Sequence, residues 1–187
     1  KMANFELTIP FTHEKEGGFV NDPHDAGGAT NMGVTLNTYT TYCRKKGYPN
    51  PTVERLKQLS EAEWQEIMRT MYWDVIKGDD IQSQSVALAI YDWSVHSGPA
   101  TAVKHVQRIL GVKSDGIVGP ITLAAINSFS PLPLFGQIQQ SRLKFLESLC
   151  VVKVLEQDEF GVSEQKEKNR KFLDGWVRRV RSIQFED

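Results

Sequence analysis

Apolar residues recur along most of this chain at the spacing of helices rather than strands. Leu36, Tyr39, Thr40 and Cys43 share one face, with Thr35 as a cap and Gly47 as a stop, which predicts a helix ending near Lys46. Ser60-Glu61-Ala62-Glu63 has the form of a capping box and opens a helix whose buried stripe is Trp64, Ile67, Met68 and Met71. Residues 83–97 are apolar almost all round (Val86, Ala87, Leu88, Ala89, Ile90, Trp93, Val95). That pattern predicts a central helix buried on most sides and ended by Gly98-Pro99. Further helices fit residues 100–110, 120–127, 134–149 and 164–183, the last with Phe172, Leu173, Trp176, Val180 and Ile183 as its apolar face.

Two stretches break the pattern. Residues 17–34 hold five glycines (17, 18, 27, 28 and 33), one proline and Asn21-Asp22, the composition of a loop or small hairpin. Residues 47–51 make a short connector. A short N-terminal helix, with Pro10 suited to its first turn, must end at Glu16 because Gly17 and Gly18 follow. No repeat or linker divides the chain, so one domain over residues 1–187 is expected.

Composition narrows the function. Lysine plus arginine number 22 against 23 aspartates plus glutamates, a net charge of -1, which argues against a nucleic-acid partner. Hydrophobic residues at 40% and charged residues at 24% suit a globular fold and exclude a disordered chain. Cys43 and Cys150 lie far apart and form no CxxC, so neither a disulfide framework nor a thiolate metal site is indicated. No stretch approaches the roughly 18 apolar residues of a membrane helix, so membrane insertion is not expected. Nor does the start of the chain carry an apolar run before a small-residue cleavage site, so the expectation is synthesis in the cytoplasm without a signal peptide.

The densest chemistry lies in Glu16-Gly17-Gly18-Phe19-Val20-Asn21-Asp22-Pro23-His24-Asp25-Ala26-Gly27-Gly28-Ala29-Thr30-Asn31-Met32-Gly33-Val34-Thr35. A glutamate at a helix end beside apolar neighbours such as Phe19 and Trp93 suits a general acid, while Asp22 and Asp25 sit in a wetter loop. Two carboxyls in contrasting environments are what glycosidic-bond cleavage requires. Read alone, however, an acid before Gly-Gly is far more often an exposed helix-end residue than a catalyst, and both aspartates suit ordinary turns. Other sites fail on their patterns. His13-Glu14 is followed by Gly17 where a zinc motif needs histidine, and residues 21–28 lack the closing glutamate of a calcium loop. No metal and no cofactor are expected. Trp93 reads as core, and Tyr91 could offer a flat face to a sugar ring.

The segment over residues 16–35 resembles the signature E-G-G-(Y/F)-V-N-D-P-x-D-x-G-G-x-T-x-x-G-(I/V)-T of glycoside hydrolase family 108, bacterial and phage muramidases that include secretion activators and endolysins. Tyr91-Asp92-Trp93-Ser94-Val95-His96-Ser97-Gly98-Pro99 is similar to the central-helix motif D-x-x-V-N-S-G of that family. Leu110-Gly111-Val112-Lys113-Ser114-Asp115-Gly116-Ile117-Val118-Gly119-Pro120-Ile121-Thr122 resembles the L-G-V-x-x-D-G-x-x-G-P-x-T pattern of its peptidoglycan-binding portion. Two departures stand out: Ala26 replaces the usual proline, and His96 replaces the usual asparagine.

The resemblance implies a lysozyme-like, bilobed, mainly α (α+β) fold with a small β-hairpin near the active-site cleft. Residues up to about 98 would form a catalytic lobe, and the remainder a helical portion with a peptidoglycan-binding-like segment at 107–127. It implies cleavage between N-acetylmuramic acid and N-acetylglucosamine, with Glu16, not Glu14, as the general acid. Asp25 would stabilise positive charge or activate water, and Thr30 would position that water. Asp22, Tyr91, Asp92, His96 and Ser97 become the candidate substrate-binding residues. The expected partner is the glycan strand of peptidoglycan, reached by a monomer exported to the wall through a holin-type or other route. The alternative is a noncatalytic wall-binding or secretion-accessory protein with the same fold. A helix over 164–183 would carry seven basic residues (166, 168, 170, 171, 178, 179 and 181) against three acidic ones, enough to attract it to an anionic wall.

Overall fold

In the computed structural model, residues 1–21, 28–157, 163–167 and 169–187 are described. The chain enters through a 3-10 turn, Phe5–Thr8, capped by the Asn4 side chain, and runs on into α1 (Ile9–Lys15) with Pro10 in its first turn. There the missing proline N–H has no helical partner to lose. The helix stops at Glu16, whose backbone turns extended (φ -93, ψ 130) while its N–H still reaches Thr12 O at 2.9 Å.

A tight hairpin follows, β1 (Thr30–Asn31) against β2 (Val34–Thr35), pairing Thr30 with Thr35 and Asn31 with Val34. Its two turn residues, Met32 and Gly33, both take positive φ (47 and 76), the left-handed geometry that a two-residue hairpin connection needs. Then come α2 (Leu36–Lys46), α3 (Val53–Lys57) and α4 (Glu61–Met68), the last running into a π turn at Arg69–Trp73. The expected caps form: Thr35 accepts the Thr38 N–H, and Ser60 accepts the Glu63 N–H. Only half of the capping box is made, because the Glu63 carboxylate is engaged by the Tyr39 hydroxyl instead.

The central helix α5 (Gln84–Ser97) is capped by Ser83 and packs against the π turn, α6 (Pro99–Leu110) and α8 (Pro131–Ser148), with α7 (Pro120–Ser128) beside α6. It is buried nearly all round, as its apolar pattern implies. One apolar core runs from Ala3 and Phe5 through Trp64, Trp73 and Trp93 to Ile183, so the two ends of the chain share it.

The expected helix over 164–183 is corrected. β3 (Val151–Gln157) and β4 (Ser163–Glu167) form an antiparallel hairpin, and α9 begins only at Arg170, running Arg170–Ser182. Val151-Val152-Lys153-Val154 is a β-branched run that favours a strand, and the polar stretch 163–167 has no apolar stripe to hold it helical. The described fold is mainly α with small hairpins.

Candidate active site

Glu16 leaves the end of α1 with its side chain 11% exposed. Two anchors on α4 bring the surrounding pieces together. His13 pairs with Glu61 at 2.7 Å and stacks on Trp64, ring centres 4.2 Å apart, which ties α1 to α4. The Trp64 Nε1–H then donates to Met32 O at 2.8 Å, which ties the hairpin turn to the same ring. The turn consequently lies directly on the Glu16 side chain. A β-carbon on Gly33 would stand 2.1 Å from Glu16 Oε2 and 2.4 Å from Cδ, so the Glu16 carboxyl can hold this position only against glycine.

The other carboxyl oxygen, Oε1, accepts a hydrogen bond from Arg179 Nη2 at 2.7 Å. Arg179 lies on α9, 163 residues away, and is itself mostly buried, 14% exposed. Its guanidinium also bonds Asp92, through Nη2 to Oδ1 at 2.8 Å and through Nε at 3.2 Å. Asp92 is completely buried on α5 and accepts a second guanidinium, Arg142 Nη1 of α8, at 2.8 Å. Burial alone would raise the Asp92 pKa; the two arginines outweigh it and hold the carboxyl below its usual range. Arg142 Nη2 points at His96 Nδ1 at 3.1 Å. Burial, together with Arg142 and Arg179, lowers the His96 pKa to about 4, so the ring is neutral at pH 7 and accepts the arginine hydrogen. The Asp92 and Glu16 carboxyls thus face two guanidiniums in one closed cluster, and the fully buried Asp92 charge is paired, as buried charges must be.

This arrangement revises the residue expectations. Asp22 and Asp25 lie outside the described residues. Thr30 stands half-buried on β1, in the hairpin whose turn touches Glu16. Tyr91 is corrected: it is fully buried between Phe5 and Trp73, ring centres 6.0 and 5.7 Å away, and presents no face to a sugar. Asp92 is corrected as well, because both its oxygens are taken by arginines and none of it reaches solvent; it braces the site from behind. His96 and Ser97 remain half-exposed at the end of α5. Trp93 is core, as expected. Arg179, expected among wall-facing basic residues, instead turns inward, while Arg178 and Arg181 are exposed. Arg142, and the Gly33 contact with Glu16, were not anticipated. One signal was present for Arg179: a cation on the same helical face as Trp176, Val180 and Ile183 needs a buried partner.

Chemically, the site offers one shielded carboxyl at the junction of a helix end, a hairpin turn and a C-terminal helix, with its orientation fixed from two sides. That is what a proton donor or acceptor acting on a bound substrate requires.

Comparison with known proteins places the chain in a family. Residues 9–98 match the family model of glycosyl hydrolase 108, and residues 101–181 match that of a predicted peptidoglycan domain. The solved structure of SagA from Brucella abortus is 32% identical in sequence, aligns over 96% of this chain and 90% of its own, and superposes with a TM-score of 0.77. The lysozyme-like, mainly α fold expected from the sequence motifs is therefore the fold adopted. No curated protein matches the chain.

Proposed function

Because the chain belongs to the glycosyl hydrolase 108 family, we propose that it is a muramidase that cuts the bond between N-acetylmuramic acid and N-acetylglucosamine in peptidoglycan, with Glu16 as general acid. The observation that carries this reading is the Glu16 carboxyl, 11% exposed and held between Gly33 and Arg179. In the proposed reaction Glu16 delivers a proton to the leaving glycosidic oxygen as positive charge builds on the sugar. Arg179 occupies Oε1 in the free protein, so the transferred proton travels from Oε2 or follows release of that bond. Asp92 takes no part in bond cleavage, being neutralised by two arginines. On this reading Asp25, in the glycine-rich segment outside the described residues, stabilises the positive charge or activates water, and Thr30 positions that water. The match of residues 101–181 to a peptidoglycan domain supports the glycan strand as the partner.

The test is loss of turbidity from purified peptidoglycan, wild type against Glu16→Gln, with mass analysis of released fragments. Clearing by wild type, a loss of about 100-fold or more in Glu16→Gln, and reducing ends on N-acetylmuramic acid are expected. Equal clearing by both proteins would overturn the role of Glu16. Binding without clearing by wild type would favour the noncatalytic wall-binding alternative.

A further inference from the structure

Arg179 is not the only residue that α9 turns toward the site. Of the four tryptophans, Trp64, Trp73 and Trp93 are completely buried, and Trp176 alone keeps partial exposure. Its ring stacks on Phe172, one turn earlier, with centres 6.0 Å apart and planes 25° from parallel. Phe172 is 48% exposed. Toward the other end of the same helix face, Val180 and Ile183 are 1% and 4% exposed, sealed into the core. The apolar face of α9 therefore passes from the sealed side chains of Val180 and Ile183 to a more exposed, stacked pair of rings.

That pair is continuous with the candidate active site. Residues 172, 176 and 179 follow at helical spacings of four and three, which puts them on one side of α9. At one end of the row Arg179 bonds Glu16. In the middle, Trp176 meets the His96 ring edge to face, centres 5.8 Å apart, and His96 accepts from Arg142 in the same charged cluster. The indole thus rests against His96, which the Arg142 guanidinium of the same charged cluster holds in place.

We infer that Phe172 and Trp176 form a sugar-stacking subsite that holds a glycan strand along α9 beside Glu16. The face of an aromatic ring is electron-rich, and the face of a pyranose ring presents polarised C–H groups, so the two attract while the sugar hydroxyls stay in water. An indole braced by His96 offers such a surface with little ordering cost. Continuity with Glu16 selects a glycan over other apolar occupants, and both rings fall inside the stretch that matches a peptidoglycan domain. This inference rests on the reading of Glu16 as the centre of a glycan-cutting site.

The test uses the full chain carrying Glu16→Gln, so that sugar is bound and not cut, and a tetramer of β-1,4-linked N-acetylglucosamine as the probe. Because the other three tryptophans are buried, acrylamide quenching of fluorescence reports on Trp176. The tetramer is expected to protect against quenching, saturably. Affinities of the variants are read by isothermal titration calorimetry, which needs no tryptophan reporter: Phe172→Ala and Trp176→Ala are expected to weaken tetramer binding about five- to tenfold, the worth of one aromatic contact, and Trp176→Phe to restore most of it. Quenching unchanged at every tetramer concentration overturns the subsite, as does equal affinity of all variants. The exposed Phe172 variant guards against a folding defect in the Trp176 variants. The two readings fail separately. Protection of Trp176 with no Glu16-dependent clearing removes the catalytic assignment alone, whereas Glu16-dependent clearing with no protection removes the subsite alone.

Discussion

Replacing Gly33 by alanine tests the placement of the carboxyl from the side opposite Arg179. At φ 76 a residue with a β-carbon is strained by about 1–2 kcal/mol. The new methyl would also stand 2.1 Å from Glu16 Oε2, 2.4 Å from Cδ and 3.0 Å from Cγ. Non-bonded atoms settle at roughly 3.5 Å, so the carboxyl must retreat by about 1 Å or more. Retreat breaks or distorts the 2.7 Å bond to Arg179, and overpacking of this kind costs about 1–3 kcal/mol. Gly33→Ala should therefore destabilise the protein by about 2–5 kcal/mol in total. In a Glu16→Ala background the clash is gone, and only the strain of about 1–2 kcal/mol remains. The stiffening of the unfolded chain by alanine is the same in both backgrounds and cancels. Urea unfolding of the four proteins gives the coupling directly, expected at about 1–3 kcal/mol against the ~0.5 kcal/mol within which independent sites add. If peptidoglycan clearing depends on Glu16, a displacement of about 1 Å should also slow it by about 100-fold. Equal costs of Gly33→Ala in both backgrounds would show that the turn does not position the carboxyl.

Two further outcomes follow from the buried cluster. Asp92→Asn leaves Arg142 and Arg179 without their shared counter-charge and should cost about 3–5 kcal/mol in urea unfolding; a loss under about 1 kcal/mol would mean that water already screens the cluster. His96 has a pKa of about 4 in the fold against its ordinary 6.5, so between those values the unfolded chain binds a proton that the native protein does not. The His96 contribution is fully present above about pH 6.5 and is lost as pH falls toward 4, by at most about 3 kcal/mol. His96→Asn should flatten that part of the stability profile, and superimposable profiles for the two proteins would refute the assignment.

The boundaries that the sequence predicts well are set by local chemistry. Thr35, Ser60 and Ser83 cap the helices they precede because the hydroxyl and the N–H it accepts are three residues apart. Gly17-Gly18 likewise ends α1 where Glu16 is needed. The charged cluster is different in kind. Asp92 stands in the apolar stretch of the central helix, yet its partners are 50 and 87 residues away, and no local pattern names them. The β3–β4 hairpin was missed for a related reason: the polar strand 163–167 acquires its conformation from pairing with 151–157, not from a pattern of its own. Arg179 shows where long-range structure does leave a trace. Among the basic residues of α9 it alone shares the face of Trp176, Val180 and Ile183, while Arg178 and Arg181 point outward.

The division between the two matched regions, near residue 98, does not divide the site. Glu16 and Asp92 lie in the hydrolase match, whereas Arg142, Arg179 and the Phe172–Trp176 pair lie in the peptidoglycan match. A seven-residue helix that gives way to an extended Glu16 has no means of its own to orient that residue's carboxyl. The orientation is supplied from outside, by a glycine in the hairpin turn and by an arginine from the far end of the chain. That arginine is held in turn by an aspartate on the central helix, which a second arginine on α8 completes. Docking of α9 onto α8 and α5 is thus the step that sets Glu16, and the same docking lays the aromatic pair beside it. Placing the Glu16 carboxyl and placing the Phe172–Trp176 pair are two results of one packing of α9, so a substitution that loosens α9 should disturb both together.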